Sequence, residues 1–319
     1  MKISITYKIP EKGINLLKEK YDVWTNEEDR ALTKEELKKL ASESDGMLTM
    51  LSDKIDKEVI DAGKNKLKII ANYAVGYNNI DFNYAKKSGI EVTNTPDVLT
   101  ETTADLAWAL MMAVSRRIVE SDNFVREGRF NGWKPELFLG NDIYGKTLGV
   151  IGFGRIGQAF ARRAKGFNMK VFYYKRNRLP SEKEKELGVE YLDLNELLKN
   201  SDFVSLHTPL TENTYHLLNK ERLNLMKKTA YLINTARGPV VDEKYLVKIL
   251  KENKIAGAGL DVYENEPKLT EGLKELKNVV LAPHIGSGTI ETRNNMAEMA
   301  AKGIIKALNG EKPFNSVFK

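Results

Sequence analysis

A short apolar run, Thr147-Leu148-Gly149-Val150-Ile151, passes directly into Gly152-Phe153-Gly154-Arg155-Ile156-Gly157 and then into an alanine-rich helical pattern. No other stretch restricts the fold so much. Glycines spaced in this way at a strand-to-helix turn permit a tight bend, a close approach of backbone to a pyrophosphate, and close packing of helix on strand. The N–H groups at the helix start then face the phosphates with a favourable dipole. Residues 169–174 read as the next strand, which ends in Lys175-Arg176-Asn177-Arg178. An NAD site carries an Asp or Glu roughly twenty residues after the fingerprint, where it binds the ribose hydroxyls. Cations there suit a 2′-phosphate, so the expected cofactor is NADP(H), with NAD(H) as the alternative.

Residues 147–151, 169–174, 203–207, 230–234, 256–260 and 279–281 read as strands separated by helical patterns. Six parallel strands with the fingerprint on the first describe the doubly wound dinucleotide-binding fold. The first hundred residues alternate likewise, with strands at 3–7, 21–24, 46–50, 68–71 and 90–92 and one helix opened by a capping box of Thr33 with Glu36. Such alternation means a parallel sheet covered by helices. After Pro283 a single amphipathic helix remains, 289–308, and it must return to the N-terminal domain to bury its apolar face. The expected fold class is therefore α/β with two doubly wound parallel-sheet domains. A Rossmann dinucleotide-binding domain, 99–285, is inserted into a flavodoxin-like substrate domain made of 1–98 and 286–319, and a ligand cleft is expected between them. The length of 319 residues also suggests two domains, at roughly 150 residues each.

Cysteine is absent, which excludes disulfides, thiolate zinc sites and cysteine nucleophiles. Only His207, His216 and His284 could supply imidazole, so no metal centre is expected, and a reduced, cytoplasmic setting fits best. The 50 basic and 44 acidic residues leave a net charge of +6. They are interspersed, as in Glu182-Lys183-Glu184-Lys185-Glu186, and read as solvated helix faces, compatible with heat adaptation. The one-signed patch that nucleic acid needs is missing. Residues 1–7 alternate like a first strand and lack the apolar core of a signal peptide. The longest apolar run, 106–114, is too short to cross a bilayer. Neither nucleic acid nor membrane is an expected partner. The helical stretch 98–118 is apolar nearly all round through its middle and must be covered on more than one side. Because Arg116 and Arg117 bring it to the surface, a subunit interface is preferred over core burial alone. A homodimer through 100–117 is expected.

Three segments end strands at the edge where open α/β sheets bind ligands. Asn234-Thr235-Ala236-Arg237-Gly238 offers in Arg237 a planar fork of donors suited to a carboxylate beside a carbonyl. Residues 259–267 carry Asp261, Glu264 and Glu266, and Asp261 taken alone could cap a turn. Ala282-Pro283-His284-Ile285-Gly286 puts a histidine after a strand and at an expected domain crossing. A histidine acting as acid–base needs a carboxylate to hold its tautomer; Glu266 is preferred and Glu264 stays open. His207 and His216 read as structural or surface residues, with His207 near the cofactor because it ends a strand.

Together, the fingerprint and these three segments resemble the D-isomer-specific 2-hydroxyacid dehydrogenases, and the resemblance runs the whole length of the chain. Ala71-Asn72-Tyr73-Ala74-Val75-Gly76-Tyr77-Asn78-Asn79-Ile80-Asp81 looks like the family's substrate loop, and residues 94–105 look like its linker and interface helix. Within the family the chain most resembles glyoxylate and hydroxypyruvate reductases. That implies NADPH-dependent reduction of glyoxylate or hydroxypyruvate to glycolate or D-glycerate. It further implies that Arg237 holds the substrate carboxylate and carbonyl, that His284 is the acid–base, and that Glu266 pairs with it. The backbone of Val75 and Gly76 would also touch the substrate, and Asp261 would lie near the nicotinamide. Thr208, Thr235, Ala236, His284 and Gly286 would border the cofactor, beside Gly152, Gly154, Arg155, Ile156 and Gly157 and the cation loop Lys175, Arg176, Asn177 and Arg178. Lys175 and Arg176 depart from the acidic residue of NAD-using members. The regulatory extension of many phosphoglycerate dehydrogenases is expected to be lacking, and Glu266 is a carboxylate where formate dehydrogenases use an amide. The remaining alternatives are an NAD-linked phosphoglycerate or D-lactate dehydrogenase and, from another class, a dinucleotide-sensing regulatory protein without turnover.

Overall fold

Strands buried along their whole length, such as Gly46–Thr49, Ile69–Asn72 and Tyr231–Asn234, belong in parallel sheets covered on both faces. A computed structural model describes residues 1–318 in this form. Lys319, the last residue of the expected discontinuous domain, lies outside the described residues. The chain divides into two compact units, Met1–Leu99 with the chain from Ser287 onward, and Thr100–Gly286.

In the first unit β1 (Lys2–Ile5), β2 (Asp22–Thr25), β3 (Gly46–Thr49), β4 (Ile69–Asn72) and β5 (Glu91–Thr93) form a parallel sheet in the order β2-β1-β3-β4-β5. This is the flavodoxin-like order. The capping box is formed: Glu36 Oε2 accepts the Thr33 N–H at 2.7 Å and Thr33 Oγ1 accepts the Glu36 N–H at 3.3 Å. Helix Ile290–Leu308, capped by Thr289, belongs to this unit and packs on helix Glu11–Lys18 and on β4. Gly13 is what lets the two helices meet, since a Cβ there would lie 2.6 Å from the Ala297 carbonyl oxygen.

The second unit has seven strands where six were expected. These are β6 (Thr147–Ile151), β7 (Lys170–Tyr174), β8 (Val189–Tyr191), β9 (Phe203–Leu206), β10 (Tyr231–Asn234), β11 (Gly257–Leu260) and β12 (Val279–Leu281), all parallel, in the order β12-β11-β10-β9-β6-β7-β8. The strand missed from sequence is β8. Its three residues sit at the sheet edge and pair only with β7, so no apolar run announces them. Connections run one way from β6 through β7 to β8 and the other way from β9 to β12. The switch point, where such sheets bind ligands, therefore lies between β6 and β9.

Helix Thr100–Ser115 packs on β10, β11 and helix Arg155–Arg163 of its own unit, and Trp108 Nε1 donates to the Phe160 carbonyl at 2.8 Å. Core burial accounts for the inner face, while Ala109 and Met112 stay exposed on the outer one. Further exposed apolar side chains follow: Arg117 turns the chain with a φ of 54°, and Ile118, Val119, Val125, Phe130 and Trp133 lie on the surface after it. Among the described residues no helix is long and apolar enough to cross a membrane.

The contact at Gly13 makes a direct test of the helix pairing. Gly13→Val is expected to destabilise the first unit by about 1–3 kcal/mol, because the added carbons meet backbone that cannot swing away. Denaturant unfolding of the variant beside the parent measures this, and equal stability would mean that the two helices are not held at this distance.

Candidate active site

The ends of β10, β11 and β12 carry the residues singled out from sequence. At the end of β10, Asn234 folds the chain back with its own amide: Nδ2 donates to the Arg237 carbonyl at 3.0 Å, and Oδ1 accepts the Ala236 N–H at 3.0 Å. An asparagine mimicking a backbone turn in this way fixes the loop locally. Arg237 Nη1 donates to the Ala236 carbonyl at 2.7 Å. Burial lowers the pKa of its guanidinium from the usual value, against the charge of Glu266, which raises it. Gly238 then presses on the next strand end. A Cβ there would fall 1.9 Å from the Tyr263 carbonyl carbon, so the two loops touch backbone to backbone and only glycine fits.

Beyond β11, Glu266 divides its two oxygens. Oε1 accepts the Tyr263 N–H at 3.0 Å, and Oε2 lies 2.9 Å from His284 Nδ1. Burial raises the carboxyl's pKa, but the His284 hydrogen bond and charge, the Tyr263 N–H and Arg237 outweigh it and hold the group below its ordinary value. An ionised carboxylate only accepts, so Nδ1 donates. His284 Nε2 makes no hydrogen bond among the described residues. The competing acid, Glu264, is turned elsewhere: Oε1 meets His216 Nε2 at 2.7 Å and Oε2 accepts the Glu243 N–H at 3.2 Å.

His284 has a φ of 56°, a left-handed conformation that costs a non-glycine residue on the order of 1–3 kcal/mol and persists only where its surroundings over-determine it. Two bonds do so. The Tyr263 hydroxyl donates to the Ala282 carbonyl at 2.8 Å, and Asp261 Oδ1 accepts the Ile285 N–H at 2.7 Å. Burial pushes the Tyr263 phenol up to about 12, so it remains a donor at neutral pH. Sequence reasoning assigned no role to Tyr263 or to the side chain of Asn234. The part of Tyr263 depends on β11 and β12 being neighbours, a fact of sheet order with no local signal, whereas that of Asn234 is a local turn within its own loop.

At the switch point the glycine turn has the shape a dinucleotide requires. Gly152 has a φ of 89°, and a Cβ there would lie 2.5 Å from the His207 carbonyl. A Cβ on Gly157 would lie 2.2 Å from the Gly152 carbonyl oxygen, whereas Gly154, at the start of helix Arg155–Arg163, faces open space with nothing within 4 Å. Thr235 Oγ1 and Asp261 Oδ2 are buried with no hydrogen-bond partner among the described residues. An open cradle at Gly154 and two orphaned buried oxygens at strand ends fit a bound nicotinamide dinucleotide. Asp261 Oδ2 is also the atom nearest to a Cβ built on Gly286, at 3.2 Å. Thr208 is half-exposed in the loop after β9. His207 keeps some exposed surface, but burial of its ring pushes its pKa down to about 3. The neutral ring meets Ser205 Oγ at 2.9 Å and packs 4.9 Å from Phe160, a structural placement.

In the cation loop, Lys175 is half-exposed and Arg176 and Asn177 are exposed. Arg178, expected beside Arg176 at a 2′-phosphate, is instead committed to Glu184, which takes both arms of its fork at 2.8 Å. Val75 and Gly76 belong to the first unit, after β4, where Asn94 Nδ2 donates to the Val75 carbonyl at 2.7 Å and Asn72 Nδ2 to the Gly76 carbonyl at 2.8 Å.

A sequence model described as the D-isomer specific 2-hydroxyacid dehydrogenase NAD binding domain matches residues 108–286. The chain is 56% identical over 316 residues to a glyoxylate reductase of Thermococcus kodakarensis, covering 98% of this chain and 94% of that one. It is 55% identical over 316 residues to a glyoxylate reductase of Pyrococcus furiosus, with coverage of 98% and 94%. Among solved structures, a Thermus thermophilus protein superposes with a TM-score of 0.93 at 45% identity, covering 99% of this chain and 100% of that one. The NADPH-dependent glyoxylate/hydroxypyruvate reductase of Sinorhizobium meliloti, in complex with NADP and malonate, superposes with a TM-score of 0.87 at 32% identity, covering 99% and 96%. The chain belongs to the D-isomer specific 2-hydroxyacid dehydrogenase family.

Proposed function

We propose that this oxidoreductase reduces glyoxylate, and hydroxypyruvate beside it, to glycolate and D-glycerate, with NADPH preferred over NADH. The observation that carries the reading is the 2.9 Å bond from His284 Nδ1 to Glu266, which leaves Nε2 as the ring nitrogen without a hydrogen bond among the described residues. When bound, a reduced nicotinamide dinucleotide supplies a hydride for the substrate's carbonyl carbon. His284, protonated, gives the Nε2 proton to the carbonyl oxygen as that atom gains negative charge. General acid catalysis of this kind is worth roughly 10²–10⁴-fold. Glu266 holds the ring in one tautomer and favours imidazolium. Arg237 spreads its fork across the substrate's carboxylate and carbonyl oxygens, stabilising the charge that develops in the transition state. Support for glyoxylate comes from relatives that bear its name, and support for NADPH comes from the cations at Lys175 and Arg176. A homodimer is also part of the proposal. Its seat is the helix around 100–117, where Met112 is exposed, with Ile118, Val119 and Val125 exposed just beyond it. Turnover of a panel of 2-oxo acids with each cofactor tests the whole reading, and no turnover with any of them would favour a sensing protein.

Cofactor choice is tested at Arg176. Arg176→Ala is expected to weaken NADPH by on the order of tenfold or more and to leave NADH nearly untouched, since only the charge-assisted contact to the 2′-phosphate is lost. Fluorescence titration of both cofactors measures it, and equal losses contradict the assignment.

The acid–base pair makes a signed pH prediction. Reduction requires the imidazolium, so the rate falls as pH rises through the apparent pKa of the profile. Glu266→Gln removes the charge that favours imidazolium, so the fall moves to lower pH while partial activity remains. His284→Ala is expected to lose kcat and retain NADPH binding. A Glu266→Gln profile that overlays the parent's removes Glu266 from the mechanism.

At Arg237 the question is shape against charge. Arg237→Lys keeps the charge but loses the planar fork, and a misplacement of about 1 Å at the reacting centre costs on the order of 10²-fold. Steady-state kinetics on glyoxylate are expected to show a raised KM and a lowered kcat, with NADPH affinity nearly unchanged. A parent-like kcat/KM would make Arg237 a scaffold residue.

A further inference from the structure

The loop after β7 is closed by a network that the proposed chemistry does not use. Arg178 Nε donates to Glu184 Oε1 and Nη2 to Oε2, each at 2.8 Å. The Tyr173 hydroxyl donates to the same Oε1 at 2.6 Å and accepts the Leu179 N–H at 2.9 Å. The Tyr191 ring of β8 underlies the Arg178 guanidinium at 5.3 Å. Glu184 is only 10% exposed at its side chain and Tyr173 is fully buried, while Arg178 is 60% exposed. A carboxylate so covered must have its charge met, and Arg178 meets it. At its other end the loop is fixed to the glycine turn, where the Gly152 N–H donates to the Tyr174 carbonyl at 2.9 Å. Between these two anchors lie Lys175, Arg176 and Asn177. Arg176 is exposed and makes no ion pair among the described residues.

We propose that Glu184 is a positioning residue for recognition of an adenosine 2′-phosphate. Acting through Arg178 and Tyr173, it holds the loop in the shape that presents Arg176, and it keeps Arg178 away from the phosphate. The inference rests on the NADPH reading above. Position and charge predict opposite signs here. Removing a carboxylate and releasing an arginine makes the loop more positive, so electrostatics alone would tighten an anion. Loss of a preorganised loop would loosen it, because the ordering must then be supplied by binding.

The test is calorimetric titration of adenosine 2′,5′-bisphosphate and of 5′-AMP into the parent, Arg176→Ala, Glu184→Gln and Tyr173→Phe. The parent is expected to bind the bisphosphate more tightly, and Arg176→Ala to remove most of that difference. Glu184→Gln is expected to weaken the bisphosphate roughly tenfold and 5′-AMP by less than about twofold, a split that general damage to the domain would not produce. Tyr173→Phe keeps the buried ring and should shift the bisphosphate in the same direction by less, so it carries the test if Glu184→Gln does not fold. Unchanged or tighter bisphosphate binding in both network variants, with the Arg176 effect intact, overturns the role of Glu184 alone. A parent that does not distinguish the two nucleotides overturns the NADPH reading and this inference together.

Discussion

The carboxylate of Glu266 is the point on which the arrangement at the strand ends depends. One oxygen receives the backbone of its own loop through the Tyr263 N–H, and the other receives His284 from the loop after β12. Neither bond would set the geometry if the strand ends could slide. Tyr263 prevents this by bonding across to the Ala282 carbonyl, and Asp261 does so by capping the Ile285 N–H. The left-handed backbone at His284 is therefore held on both sides by groups from β11 and its loop. On the opposite flank, the contact of Gly238 with the Tyr263 carbonyl brings the Arg237 loop in by backbone, with no long side chain whose freedom would have to be frozen.

Parallel topology makes this economy available. All seven strands deliver their carboxyl ends to one edge, so residues far apart in sequence arrive together without dedicated long loops. The same edge holds the glycine turn, whose first and third glycines are forced by contacts of 2.5 and 2.2 Å and whose second is free. That difference is physical. Two of the glycines serve the fold, and Gly154 leaves room for something that is not protein.

What was legible in the sequence was local. The glycine turn, the Thr33–Glu36 capping box and the closing helix depend on neighbours within a few residues, and each is formed. The pairing of His284 with an acid spans 18 residues and could be narrowed only to Glu266 or Glu264, because the choice depends on how a loop turns beyond β11. Glu184 was misread for a related reason. It lies in a run of alternating charges that looks solvated, yet it is buried beside Tyr173 and paired with Arg178, the residue that the sequence reading set beside a 2′-phosphate. Helix Thr100–Ser115 shows how little periodicity says of what covers an apolar helix: one face packs on β10, β11 and a neighbouring helix, while Ala109 and Met112 stay exposed on the other.

Glu264 and Glu266, two residues apart, each pair with a histidine, and their difference shows how the same residue types are turned to different ends. His216 meets Glu264 through Nε2, and the Tyr215 ring stacks on it at 4.1 Å. Its distal nitrogen is thereby spent on the carboxylate and its face is covered, while Glu264 and Glu243 exchange backbone bonds that join the start of a helix to the loop. That pair is a brace. His284 meets Glu266 through Nδ1, so the carboxylate restrains the near side of the ring and the far nitrogen has no hydrogen bond among the described residues. A proton donor must be held without being capped, and only the second arrangement meets both conditions. Which nitrogen faces the acid, more than the presence of an acid, distinguishes the imidazole proposed as the proton donor from the one that fastens two loops.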